Sequence, residues 1–350
     1  MSAERERSEV EVRKCVDADA GAWDHFLNGC EGATFYHRHG WTRLNRDVLG
    51  HESHSVLAES EGDVCGVLPL TRVRSRLFGD MLVSMPFVNY AGPVGATPGI
   101  CDQLSAVACE IAEDLGCDYV EIRSKSPPHG LTSRTHKVSM SIDLPKDPEE
   151  LWDAFKSKHR NNLKRSYRND LRAVDGGLEL LDDFFELMQL GWRDLGTPLY
   201  RRAYFESILQ TFPDDVRIFV VYQHDTPVAT SFNGAFGGTF EGMWAAGHPA
   251  HRELQANYVL YWETIKYACL KGYHRFHLGR STKDSGSARY KARWMAKPEQ
   301  LYWSYHLVNR DEIPELSPDN PKYRLAMKVW RKLPLPVLRV LGPRLARALP

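Results

Sequence analysis

Apolar and polar residues alternate over Ser55-Val-Leu-Ala-Glu-Ser60, break at Glu61-Gly62-Asp63, and resume over Val64-Cys-Gly-Val-Leu-Pro-Leu70. Alternation on both sides of a glycine-bearing turn predicts a β-hairpin. The apolar run Met81-Leu-Val-Ser-Met-Pro-Phe87 predicts a third strand, and a helical period follows from Cys101 to Leu115. Gly116 then stops the helix, and Asp118-Tyr-Val-Glu-Ile-Arg-Ser124 reads as a fourth strand. The same order returns later in the chain. Arg217–Tyr222 and Pro227–Phe232 flank a turn at His224-Asp225-Thr226, and Thr239–Ala246 supplies the third strand. A helix from Leu254 to Leu270, Gly272 and the strand Tyr273–Ser281 complete the second copy, and both copies close on Arg-Ser.

Outside the two copies the pattern predicts a strand at Val10–Arg13 and another at Val138–Leu144, which would close the first unit. Pro145 and Pro148 punctuate the chain there and place a boundary. The expected units are 9–147 and 148–312, followed by a tail over 313–350; residues 1–8 read as a solvated tail. Over 156–172, Phe155, Leu163, Tyr167 and Leu171 mark an apolar seam, which predicts a helix with one basic face. The face carries seven Lys/Arg against Asp170 alone. It is either a solvated surface or an anion-binding one for a phosphate-bearing substrate such as a tRNA, with Arg160, Lys164 and Arg165 as the contacts. The tail has no acid after Asp319 and mixes Leu325, Trp330, Leu333, Leu335, Leu338 and Leu341 with Lys and Arg. It reads either as a helix docked on the body or as an interfacial helix over 322–347 on an anionic membrane.

Bulk charge narrows the function little, because Lys+Arg 45 balance Asp+Glu 45. Seven cysteines with no CxxC pair fit reduced thiols in the cytoplasm better than a disulfide framework. A charged N-terminus without an apolar stretch behind it predicts no secretory signal, and no run nears the roughly 18 apolar residues of a membrane span. The expected location is therefore cytoplasmic, with peripheral contact to the inner membrane face through the tail.

No nucleophile elbow, phosphate-binding Walker loop or HExxH helix occurs, and the histidines are scattered. His37-Arg-His39 and His248-Pro-Ala-His251 are weak as metal ligand sets, so no metal is expected. Ahead of the two long helices stand Pro93-Val-Gly-Ala-Thr-Pro-Gly99 and Arg252-Glu-Leu-Gln-Ala-Asn257. The first is interrupted by prolines and the second has no glycine, which weakens an ordinary acetyl-CoA diphosphate site.

A hairpin, a third strand, a helix and a fourth strand, in that order, resemble the core of the acyl-CoA N-acyltransferase (GNAT) fold. The expected class is α+β: two tandem GNAT-like units, each a mixed, mostly antiparallel sheet flanked by helices, plus a basic helical tail. Further along, Phe276-His-Leu-Gly-Arg-Ser-Thr-Lys-Asp-Ser-Gly-Ser-Ala-Arg-Tyr-Lys-Ala-Arg-Trp294 resembles the signature closing the second unit of the Fem-type peptidyltransferases. It is closest to the FemAB-like branch found beside exosortase and exopolysaccharide gene clusters. Leu68-Pro-Leu70, Ser84-Met-Pro-Phe87, Asn89-Tyr-Ala-Gly92, Gly196-Thr-Pro-Leu-Tyr200 and Ala256-Asn257 with Leu260-Tyr-Trp262 extend the likeness over nearly the whole chain.

The resemblance implies transfer of an aminoacyl or acyl group onto an amine during cell-envelope, peptidoglycan-precursor or exopolysaccharide assembly. It implies no tightly bound cofactor, an aminoacyl-tRNA or acyl-CoA donor, and a lipid-linked acceptor. The family's lysine near the acceptor falls on Lys291; its aspartate and phenylalanine are replaced by His277 and Tyr290, and the Gly-Ala after tryptophan by Met295-Ala296. Attack of an amine on an activated ester asks mainly for positioning and oxyanion stabilisation. Lys291 and Arg280 are the cations for that task, and Asp284 is the nearest carboxylate for the ammonium proton. Tyr200, Asn257, Tyr261 and Tyr290 are expected around the substrate. Two rivals remain: an acyl-CoA- or acyl-carrier-dependent N-acyltransferase of the same fold, and a non-catalytic scaffold that binds an envelope precursor.

Overall fold

A computed structural model describes residues 9–76, 78–313 and 321–349. The solvated tail expected over 1–8 and the part of the C-terminal tail over 314–320 lie outside the described residues. The chain forms two compact units. One comprises residues up to Thr135 together with Leu301–Ile313, the other His136–Gln300 with the segment from Pro314.

In the first unit the expected hairpin forms from β3 (Val56–Ser60) and β4 (Asp63–Leu68), after β1 (Glu11–Lys14), α1 (Ala20–Gly29), α2 (Gly40–Asp47) and β2 (Glu52–Ser53). β1 and β4 flank β3 antiparallel. Pro69 ends the second arm, since proline has no N–H for the ladder. The strand restarts as β5 (Thr71–Ser75), which pairs with β6 (Gly79–Val83). β7 (Val94–Gly95) adds to β4. α3 (Pro98–Asp114) is capped by the Thr97 side chain with Pro98 in its first turn. Its buried stripe Ile100, Leu104, Ala108 and Ala112 recurs every four residues and packs with Val56, Leu68, Val120 and Ile122. The helix returns the chain to β8 (Tyr119–Ser124), parallel to β6. Residues 302–307 then pair antiparallel with β8. This polar centre holds the buried ion pair Arg123–Glu121 at 2.6 Å, with Arg123 stacked 4.4 Å over Trp303.

The second unit repeats the order. β9 (Thr132–Asp143) supplies residues 136–143, followed by α4 (Pro148–Ala154), α5 (Ser157–Tyr167), β10 (Leu171–Gly176), α6 (Leu181–Leu195) and α7 (Arg202–Thr211). β11 (Val216–Gln223), β12 (Thr226–Phe236) and β13 (Thr239–Gly247) form an antiparallel meander beside β10. α8 (Ala256–Leu270) crosses to β14 (Arg275–Thr282), parallel to β13. α9 (Gly286–Ala292), β15 (Lys297–Leu307), α10 (Pro321–Trp330) and α11 (Leu335–Ala346) follow. Here the middle strand, β12, runs unbroken past the position where Pro69 splits its counterpart. The core gathers Phe155, Leu163, Phe219, Phe240, Val259, Ile265, Phe276 and Trp294.

Two expectations need correction. Val138–Leu144 does not close the first unit: Val138–Asp143 pairs antiparallel with β14 in the second, while the first is closed by 302–307. Alternation marks a strand without naming its partner. The basic helix stops at Tyr167 and Leu171 already belongs to β10, because the chain reverses at Asp170 with φ 54. All four seam residues, Phe155, Leu163, Tyr167 and Leu171, pack into one core, but only Leu163 and Tyr167 do so from α5.

Candidate functional site

β13 and β14 are paired only over Thr239–Glu241 and Arg275–His277. Beyond that point they separate, and β14 is irregular between His277 and Arg280. Gly279 sits there with φ +80, and a Cβ would meet the Gly242 carbonyl oxygen at 3.0 Å, so only glycine fits. At the root of the split, His277 lies between Ser139 and Glu241, all three buried. Its Nε2 shares a hydrogen bond with the Ser139 hydroxyl, and its Nδ1 is 3.2 Å from Glu241 Oε2. Three strands contribute this cluster. His277 was legible only as a replacement in the family motif, and Ser139 and Glu241 were missed; a carboxylate inside a core strand was the available signal.

Lys291 is 7% exposed, on the buried side of α9. Its ammonium donates to the carbonyls of Gly279 and Arg280, at 2.9 Å each. Burial, with Arg280 beside it, pushes its pKa down to about 7. Lys291 thus clamps the irregular stretch of β14 while carrying a charge that comes off near neutrality.

Beside the β13–α8 connection lies a cavity of about 410 Å³ lined by Gly191, Asp194, Ala245–Gly247, His248, His251, Arg252, Gln255, Asn257, Tyr261 and Tyr290, among others. The Tyr290 hydroxyl is buried without a hydrogen-bond partner. Burial, and then Tyr261, raises its pKa well above the usual phenol value; burial pushes Tyr261 up to about 12. Both phenols therefore keep their protons at neutral pH and act as donors. His248 Nδ1 accepts from the Ala250 amide at 3.2 Å, which leaves the proton of the neutral ring on Nε2. Burial and then His251 hold the His248 pKa below its ordinary value. The sequence reading treated His248 and His251 only as a weak metal pair; among the described residues no group of three or more His, Cys, Asp or Glu is placed to hold a metal.

Three of the expected substrate residues, Asn257, Tyr261 and Tyr290, share this cavity. Tyr200 does not: it packs against Trp192 and Tyr204 and lines a separate cavity of about 230 Å³ with Trp330, Leu335 and Leu338. Lys291 and Arg280 stand outside the wall of the larger cavity. Asp284 is exposed in a turn at φ 59, its carbonyl accepting from Arg289. Arg160 is committed to the carbonyls of Trp152, Asp153 and Phe155, closing the end of α4. Lys164 lies 5.8 Å over the Trp152 ring, and Arg165 is exposed. Beneath them the buried ring of His159 packs on Trp294 at 4.4 Å, and neither ring nitrogen has a hydrogen-bond partner. Burial, and then Arg293, lowers its pKa to about 4.

The connection into α8 bears on the donor. Residues Pro249–Leu254 coil into a tight 3₁₀ helix. Of the amides in and beside it, those of Ala250 and His251 donate to His248, that of Gln255 to the Arg252 carbonyl and that of Tyr258 to the Gln255 carbonyl. Its first-unit counterpart is tied down as β7, and Thr97 caps the following helix.

A sequence model described as an acetyltransferase (GNAT) domain matches residues 157–292. No curated protein is significantly similar in sequence. Among solved structures the chain is similar to FemX, at 14% identity and TM-score 0.62, covering 91% of this chain and 100% of that one. It is also similar to the C-terminal (DUF2156) domain of a putative lysylphosphatidylglycerol synthetase from Agrobacterium fabrum, at 12% identity and TM-score 0.57, covering 84% and 92%. A tandem GNAT protein from the clavulanic acid biosynthesis pathway aligns at 13% identity and TM-score 0.53, covering 87% and 100%. The pairing order and these likenesses agree on the fold: two GNAT-like units, with the acetyltransferase (GNAT) domain match falling in the second.

Proposed function

We propose that the protein transfers an aminoacyl group from an aminoacyl-tRNA onto an amine of a lipid-linked precursor in cell-envelope, peptidoglycan or exopolysaccharide assembly. The reading is that of a FemAB-like transferase of the exopolysaccharide-associated kind, working at the cytoplasmic side of the membrane. The observation that carries it is the connection into α8, in which the amides of Ala250, His251, Gln255 and Tyr258 are already bonded and residues 248–257 include no glycine. A CoA diphosphate needs free amides at that helix start; an ester on a tRNA terminus does not. The likenesses to FemX and to a lysylphosphatidylglycerol synthetase domain support the same choice.

In the proposed reaction the amine nitrogen attacks the ester carbonyl, the tetrahedral oxyanion collapses, and the C–O bond to the ribose breaks as the amide forms. The nucleophile's proton ends on the departing ribose oxygen. Tyr290, with Tyr261 and the His248 Nε2–H, supplies uncharged donors to the oxyanion inside the cavity. One well-placed donor of this kind is worth about 10²–10³ in rate. Lys291 holds the carbonyls of Gly279 and Arg280, and the exposed cations of α5, Lys164 and Arg165, suit the donor's phosphates. Filter binding tests the donor: we expect tight, salt-sensitive binding of aminoacyl-tRNA and no saturable binding of acetyl-CoA at millimolar concentration. Micromolar acetyl-CoA binding would favour the second reading, an acyl-CoA-dependent N-acyltransferase, which the acetyltransferase domain match over 157–292 supports.

A further inference from the structure

Five of the ten large hydrophobic side chains exposed among the described residues belong to α10 and α11: Leu325, Val329, Val337, Val340 and Leu341. They follow helical spacing. Leu325 and Val329 are one turn apart on α10, and Val337 is three and four residues from Val340 and Leu341 on α11. Single exposed apolar residues are ordinary, but a cluster of this kind on one pair of helices marks an interaction surface. Around it stand five exposed cations, Arg324, Lys328, Lys332, Arg344 and Arg347, none paired with a carboxylate among the described residues. No acidic residue occurs between 321 and 349.

The opposite side of the same helices is anchored. Trp330, Gly342 and Ala346 are buried, and a Cβ on Gly342 would meet the Leu199 carbonyl oxygen at 3.2 Å. Arg331 donates to the Leu195 carbonyl at 3.2 Å, and Arg339 donates to Gln189 Oε1. On this side the tail follows the docked-helix expectation. Trp330, Leu335 and Leu338, expected to insert into a membrane, instead line a cavity within the second unit. Leu325 and Leu341 of the expected set stay outward, joined by valines the sequence reading passed over.

We infer that α10 and α11 form a docking surface for an anionic lipid bilayer, with Leu325, Val329, Val337, Val340 and Leu341 in the interface and the surrounding cations on acidic headgroups. Charge complementarity selects this occupant: apolar side chains on helices that carry cations and no acid repel a second copy of themselves and favour a negatively charged leaflet. Unlike a free amphipathic tail, the surface is held in place by its buried side, so it adds no folding step on binding. The inference uses neither donor nor acceptor, so its failure leaves the proposed transfer reaction standing.

The test is flotation of the full chain with vesicles of phosphatidylcholine alone or with about a third phosphatidylglycerol. Binding is expected only to the anionic vesicles. Leu325→Asp with Val340→Asp should lower partition at least tenfold. Lys328→Gln with Lys332→Gln should lower it roughly thirtyfold, two headgroup contacts being lost. All four positions are exposed, so an unchanged urea midpoint establishes that the variants fold. Equal binding to neutral vesicles, or partition untouched by both double variants, would overturn the inference. So would a dimer in analytical ultracentrifugation that Val340→Asp dissociates while vesicles bind nothing.

Discussion

Replacing Lys291 with methionine changes how stability depends on pH in a way that only a buried, charge-shedding lysine produces. The ammonium is 7% exposed and titrates at about 7 in the folded chain, against an ordinary 10.5. Between those values the unfolded chain binds a proton that the folded chain has released, so wild-type stability rises with pH across that window and is lowest below it. From about pH 6 to about pH 9 this group alone adds about 2.5 kcal/mol. Methionine keeps the length of the side chain and removes the titration, while the carbonyls of Gly279 and Arg280 each lose a donor worth about 1.5–3 kcal/mol. The absolute change at one pH is therefore a near-balance of opposing effects, and the slope is the diagnostic. Urea unfolding of both proteins at about pH 6, 7.5 and 9 gives the difference directly, since other titrating groups cancel between them. Wild type should gain about 2.5 kcal/mol relative to Lys291→Met across the range. Parallel curves would show that the lysine is not buried as described.

Other outcomes follow from the same structure. Tyr290→Phe removes a buried hydroxyl that has no partner, so stability should hold or rise while kcat/KM falls about 10²-fold; loss of stability with unchanged kinetics would contradict the site. His159→Leu should abolish a stability loss of about 3 kcal/mol that wild type shows as pH falls from about 6.5 toward 4, because the buried ring titrates at about 4 when folded; urea midpoints against pH measure it. Gly196→Ala places a Cβ 2.9 Å from Met327 at φ +78 and should cost about 2 kcal/mol, with faster proteolysis of the α10–α11 segment; an unchanged midpoint would show that this helix end is not held against α10.

The duplicated unit was legible because each of its elements carries a local signal. Alternation marks β3, β4, β11 and β12, and Gly116 and Gly272 stand at the helix ends with φ 62 and 80. Partners across the sheet left no such mark: Val138–Asp143 and residues 302–307 look like strands wherever they pair. The site was half legible. Asn257, Tyr261 and Tyr290 could be placed together through the family motif, whereas Tyr200 was drawn away by ring packing on Trp192 and Tyr204. Spacing could not show that Lys291 turns back onto β14, nor that Ser139, Glu241 and His277 meet, because three separate strands bring them together. For Arg160 a surface charge run concealed a structural duty, the closing of the α4 end.

The central claim, that the second-unit cavity transfers an aminoacyl group to an amine, is tested most directly by a single assay. Purified protein is incubated with a radiolabelled aminoacyl-tRNA pool or with a panel of labelled acyl-CoAs, together with lipid-linked amine precursors, and base-stable label on the lipid is counted. The account predicts transfer from aminoacyl-tRNA, falling about 10²-fold in Tyr290→Phe. Transfer from acyl-CoA alone, or aminoacyl transfer indifferent to Tyr290→Phe, would contradict it.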